Sequence, residues 1–181
     1  SRGNSHSLTD QNLKVLVPSM GGRASRAVVS GFRYSGIQAE AASAPGEAEL
    51  KKGKANSSSK ECLPFQLTLG TMLNYLEQRE NKEEILAYFM AEASGPCRFG
   101  QYNVMLNDLI EAKEIENTAV LTLSADNGYA GLGKKFIMRA WQAVIIADVL
   151  AEIESVILAL AQAKEKGLVQ LEKSSDRIFK A

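Results

Sequence analysis

The strongest constraint on how this chain folds is an alternation. Short apolar runs recur between longer segments whose apolar residues fall at helical spacing. The runs are Lys14-Val15-Leu16-Val17-Pro18, Glu84 to Met90 and Thr118 to Leu123, with a weaker one at Ile37-Gln38-Ala39-Glu40-Ala41. A short apolar run without polar alternation fits a strand covered on both faces. Between the runs, Arg23 to Tyr34 carries Ala24, Ala27, Val28 and Phe32, and Pro64 to Arg79 carries Leu69, Met72, Leu73 and Leu76. Arg98 to about Glu114 carries Val104, Met105, Leu106, Leu109 and Ile110. Each is an apolar stripe, as a helix resting on a sheet requires. The order βαβαβαβα predicts an α/β chain with an open, doubly wound parallel sheet of about four strands, Rossmann-like or flavodoxin-like, in the order 2-1-3-4. Ligands of such sheets bind beyond the carboxyl ends of the strands, where the strand order reverses.

Turn chemistry supports the division. Ser19-Met20-Gly21-Gly22 reads as a tight turn after the first strand, and Ser35-Gly36 as the stop of the first helix. Ser43 to Lys60 contains Pro45-Gly46, Lys51-Lys52-Gly53-Lys54 and Ser57-Ser58-Ser59, and reads as a mobile solvated loop, or as a loop that delivers Cys62 to a site. Ser124 to Lys134 is a glycine-rich loop, and Phe136 to about Lys164 reads as one long C-terminal helix. That helix is apolar on most sides from Ala140 to Leu160, but Arg139, Asp148, Glu152 and Glu154 interrupt it. A membrane span needs about 20 apolar residues with few charges, so a buried domain helix is expected instead. Its far end, Val156 to Ala161, needs a cover: the tail Leu168 to Phe179, another domain, or a second copy of the chain. The expected organisation is a disordered tail or cloning remnant at 1–12, the α/β domain at 13–164 and a helical tail at 165–181.

Lys+Arg and Asp+Glu number 21 each, a balance that gives no support for nucleic-acid or anionic-membrane partners. A length of 181 residues suits one domain, with or without an appendage. His6, in the polar start, is the only histidine, which excludes His-based triads and His-rich metal sites within the chain. Two cysteines with no export signal point to a reducing cytoplasm.

Those cysteines carry the candidate chemistry. Cys62 lies in Lys60-Glu61-Cys62-Leu63-Pro64, and Cys97 in Gly95-Pro96-Cys97-Arg98-Phe99-Gly100-Gln101-Tyr102. Each cluster contains a proline and leads into a helix-periodic run, which places both thiols at or just before helix N-termini. Such a position lowers a thiol pKa. Thiolates so placed hold a metal or cluster, form a redox pair, or sit inert in the packing. Arg98, Gln101 and Tyr102, one turn on, either orient an anion and hydrogen-bond cluster sulfurs or serve capping and packing.

These same clusters, with Gly70, resemble the dehydratase-like region of the large CoA-substrate-specific enzyme activases, relatives of the 2-hydroxyacyl-CoA dehydratase family. The similarity runs from about Val15 to about Leu158, and the octapeptide around Cys97 is its most specific part. The resemblance implies a longer parent chain, iron–sulfur electron transfer in acyl-CoA dehydration or reduction, and Cys62 and Cys97 as cluster ligands. It implies as partners other domains of the same protein or a dehydratase or activator chain, with acyl-CoA as substrate and a homo-oligomer as an option. A 4Fe–4S cluster takes about four ligands. The family pattern often carries a second cysteine after the first proline, where this chain has Phe65. No bound cluster and no activity are therefore expected of the chain alone. An interaction domain with a decayed cluster site is the alternative.

Gly128 to Lys135 nearly spells a phosphate-binding loop, but Lys135 stands where the magnesium-binding hydroxyl belongs. It reads as a strand-to-helix loop. Asp126 and Asp148 read as turn and surface acids, and the scattered methionines as core filler.

Overall fold

The apolar run Leu13–Val17 forms β1, buried at every position except Lys14. In the structure, a computed structural model that describes residues 5–58, 60–92, 95–124 and 128–180, β1 pairs in parallel with β2 (Ala39–Ala41) on one side and β3 (Ile85–Phe89) on the other. β3 pairs in parallel with β4 (Thr118–Leu121), giving the order β2-β1-β3-β4. This is the expected open α/β sheet. Its order reverses between β1 and β3.

Strand alternation divides the core into two halves. Leu13, Val15, Val17, Ala87 and Phe89 face α1 (Gly22–Tyr34) and α5 (Gly133–Leu160). Phe32 of α1 lies between Phe89 and Phe136, at ring-centroid distances of 5.7 and 5.3 Å. Leu16, Leu86, Tyr88 and Met90 face α3 (Leu63–Gln78) and α4 (Tyr102–Ala112), where Phe65, Leu69, Met72, Tyr102 and Leu106 fill the space. Tyr88 is fully buried and donates its hydroxyl to the Thr68 carbonyl at 2.8 Å, so its polar tip is satisfied inside the core. The first helix stops where expected. Gly36 takes φ +75°, and Ile37 N–H bonds back to the Phe32 carbonyl at 3.1 Å.

The polar stretch Ser43 to Lys60, expected as a loop, contains a helix. Glu47–Ala55 form a helix, α2, laid against α3. Its start is a capping box in which Glu49 accepts from Gly46 N–H at 2.7 Å, and the same carboxylate accepts from Asn74 of α3 at 2.7 Å. The helices touch backbone to backbone. A Cβ on Gly53 would lie 1.8 Å from the Gln66 carbonyl oxygen, and one on Gly70 would lie 1.8 Å from that of Glu49. Gly53 is the only buried residue of α2, so the contact leaves no apolar stripe in the sequence.

Two helix boundaries also differ from expectation. The segment after Cys97 begins as a 3-10 turn, Arg98–Gln101, before α4. The long helix spans Gly133–Leu160, and the chain then reverses into α6 (Lys164–Lys180). Arg23 of α1 pairs with Glu154 at 2.5 Å and Glu172 at 3.5 Å, while Arg26 pairs with Glu172 and with Asp176 at 2.8 Å. This network and buried Leu171 seat the tail on α1 and one flank of α5. Ahead of β1, Leu8 packs on the core and Asn12 donates to the Glu83 carbonyl at 2.7 Å. Among the described residues, no helix is long and apolar enough to cross a membrane.

Candidate functional site

α3 begins at the end of the sheet where the strands terminate, because it runs back to feed β3. Cys62 is its N-cap, and Pro64 sits in its first turn. The Cys62 carbonyl accepts from Phe65 N–H at 3.0 Å, so the cap is set by the backbone. Cys97 holds the equivalent place before the 3-10 turn that follows β3. Cys62 is half-buried and Cys97 exposed, and neither is in a disulfide.

Tyr102 joins the two clusters. Its ring is 5% exposed and packs edge-on against Phe65 and Phe99, with centroids 5.1 and 5.2 Å away. Its hydroxyl lies 2.6 Å from Cys62 Sγ. Arg98 reaches back in the same direction, donating from Nη1 to the Lys60 carbonyl at 2.8 Å. Gln101 is exposed and makes no side-chain hydrogen bond with the described residues. The structure thus gathers Cys62, Tyr102 and Arg98, with Cys97 close enough for its charge to act on the tyrosine, and leaves Gln101 at the rim.

The electrostatics assign the proton. Burial pushes the Cys62 thiol up, but the Tyr102 hydroxyl, the Phe65 amide and the Arg98 guanidinium together outweigh it and bring the thiol below its ordinary value. Burial, then the negative sulfurs of Cys62 and Cys97, push Tyr102 well above the usual phenol range. The two shifts run in opposite directions: of the pair the sulfur loses its proton first, and Tyr102 then donates to it. Packing and thiol binding were alternative roles for Tyr102, and the ring serves one while the hydroxyl serves the other.

Phe65 went unnoticed as a site residue except as a departure from the family pattern. It is 2% exposed and forms one wall of the Tyr102 pocket. The place of a possible further thiol is therefore filled by a core aromatic. No group of three or more His, Cys, Asp or Glu side chains with metal-binding geometry occurs among the described residues.

The other candidates form their own local structure. The loop after β1 closes on itself, Ser25 Oγ accepting from Met20 N–H at 2.8 Å and donating to the Pro18 carbonyl at 3.0 Å. In the glycine-rich segment, Tyr129 and Ala130 take φ 54° and 52°, and α5 starts at Gly133, which puts Lys134 and Lys135 in its exposed first turn. Asp126 lies outside the described residues, and Asp148 is exposed on α5. Compared with known family models, curated proteins and solved structures, the chain has no match.

Proposed function

We propose that this chain is a dehydratase-like domain of a CoA-substrate-specific enzyme activase, contributing Cys62 and Cys97 as half of an iron–sulfur ligand set. Another domain or a partner chain completes the set. The reading rests on the likeness of the two cysteine clusters to that family. The structural observation that supports it is the Tyr102 hydroxyl 2.6 Å from Cys62 Sγ, with the thiol held below its ordinary pKa. A bound cluster would supply one-electron transfer. The chain's own residues have a separate task. Tyr102 favours the deprotonated form of Cys62, Arg98 adds positive charge beside it, and Phe65 and Phe99 shield the phenol from water. ATP hydrolysis belongs to another region or protein, and acyl-CoA is the substrate of the whole system. A reducing cytoplasm keeps both thiols free for ligation.

The test is anaerobic reconstitution with iron and sulfide, read by iron analysis and electron paramagnetic resonance. The chain alone should purify in air without a cluster. The full assembly should take one up, and Cys97→Ser should lower its iron content and electron transfer together while the fold stays intact. Full iron and unchanged spectra after replacement of both cysteines would overturn the ligand assignment. That outcome favours the second reading, an interaction domain whose site has decayed, for which Phe65 in the place of a thiol speaks.

A further inference from the structure

The outer side of α5 carries an apolar stripe that α6 leaves open. Met138, Trp141, Ile145, Val149, Val156 and Leu160 are 61%, 63%, 58%, 49%, 55% and 78% exposed. They lie opposite Phe136, Ala147 and Leu150, which are buried. Their spacing follows steps of three, four and four residues, so that Met138, Val149 and Leu160 recur every 11 residues, with Glu152 at the single polar step. An 11-residue period stays close to that of a straight α-helix, so the stripe keeps to one face along its whole length. Half-exposed side chains of these sizes present on the order of 600 Å² of apolar surface, the upper end for the largest patch on a typical monomer.

The charges on the same face indicate what covers it. Lys134 lies one 11-residue period before Ile145, and Glu152 one period after Trp141, so both stand in the stripe. Both are exposed and have no ion-pair partner among the described residues. The face is basic at its start and acidic further along. A parallel copy would set like charges together, whereas an antiparallel copy sets opposite ones together and also opposes the helix dipoles. One register serves both chemistries: with Trp141 against the partner's Ile145, Lys134 falls opposite the partner's Glu152, because the two pairs straddle the same midpoint.

We propose that α5 pairs antiparallel with α5 of a second copy of this chain, about a two-fold axis level with Ala143, so that the part of the stripe from Met138 to Glu152 is covered and Val156 and Leu160 lie past the start of the partner's α5. The pairing is isologous, so each contact occurs twice. It does not depend on the thiol site.

Sedimentation velocity of the 181-residue chain, run from about 1 to about 100 µM, should show a concentration-dependent dimer. Ile145→Glu should raise its dissociation constant by at least about 100-fold, since the axis buries the new charge twice, with the circular dichroism spectrum unchanged at this exposed position. Lys134→Glu alone should weaken the dimer by about 10-fold, and Lys134→Glu with Glu152→Lys should restore it, a rescue that requires this register. A chain that stays monomeric throughout, whether the stripe then serves another protein or a lipid surface, overturns the proposal. So does a dimer indifferent to Ile145→Glu, or a double charge swap that fails to rescue.

Discussion

The hydroxyl of Tyr102 and the sulfur of Cys62, 40 positions apart in sequence, lie 2.6 Å from each other. A polar group at the edge of an aromatic pocket thereby faces a thiol at the positive end of a helix. Their protonation is coupled, with the proton favoured on oxygen and the negative charge on sulfur.

Removing the hydroxyl should therefore shift the thiol. In a Cys97→Ser background, Tyr102→Phe deletes the donor to Cys62 and keeps the ring between Phe65 and Phe99. The pH profile of Cys62 alkylation by iodoacetamide should move to higher pH, and the rate at neutral pH should fall, because the thiolate is the nucleophile. An unmoved profile would assign the lowered thiol pKa to the backbone amides of the helix start and to Arg98.

The tyrosines should make the fold sensitive to alkali. Burial and then the Glu84 contact, at 2.7 Å from its hydroxyl, push Tyr75 up to about 12. Burial raises Tyr88 and Tyr102 as well. A group raised by folding contributes stability that is complete below its unfolded pKa, near 10, and is lost as pH rises through the folded value. Urea denaturation midpoints should hold up to about pH 10 and fall between about 10 and 12, tracked by tyrosinate absorbance.

The contact of α2 with α3 should tolerate no side chain at its two glycines. With the Gln66 carbonyl oxygen 1.8 Å from a Cβ at Gly53, the obstacle is backbone and cannot rotate away. Gly53→Ala should cost about 3 kcal/mol despite the better helix propensity of alanine, and Gly70→Ala should behave alike. Lys54→Ala, exposed on the same helix, should stay within about 0.5 kcal/mol. Chemical denaturation measures all three.

Docking of the tail should depend on salt. Arg26 bridges Glu172 and Asp176 and stacks over Phe179 at 5.5 Å. Arg26→Ala should loosen α6 by about 1 kcal/mol at low ionic strength and by less at high salt. Hydrogen exchange of the α6 amides should report the change, with the sheet amides unaffected.

The sequence by itself determined the class of fold. β1 and β3 are buried on both faces, and burial of that kind demands an unbroken apolar run, so their identity and parallel pairing were readable. The end of α1 was readable for a similar reason, since Gly36 holds a backbone conformation that costs other residues energy. Prolines placed Cys62 and Cys97 at helix starts. What the tertiary structure decided has a common cause: partners distant in the chain that leave no periodic trace. α2 was invisible because it packs through glycine and carbonyl oxygen. The end of α5 at Leu160 carries no glycine or proline, and the reversal is held by the tail's ion pairs to Arg23 and Arg26. The partner of Cys62 was hidden likewise. The sequence left Tyr102 open between packing and contact with a sulfur, and only the approach of α4 to α3 brings its hydroxyl to Cys62.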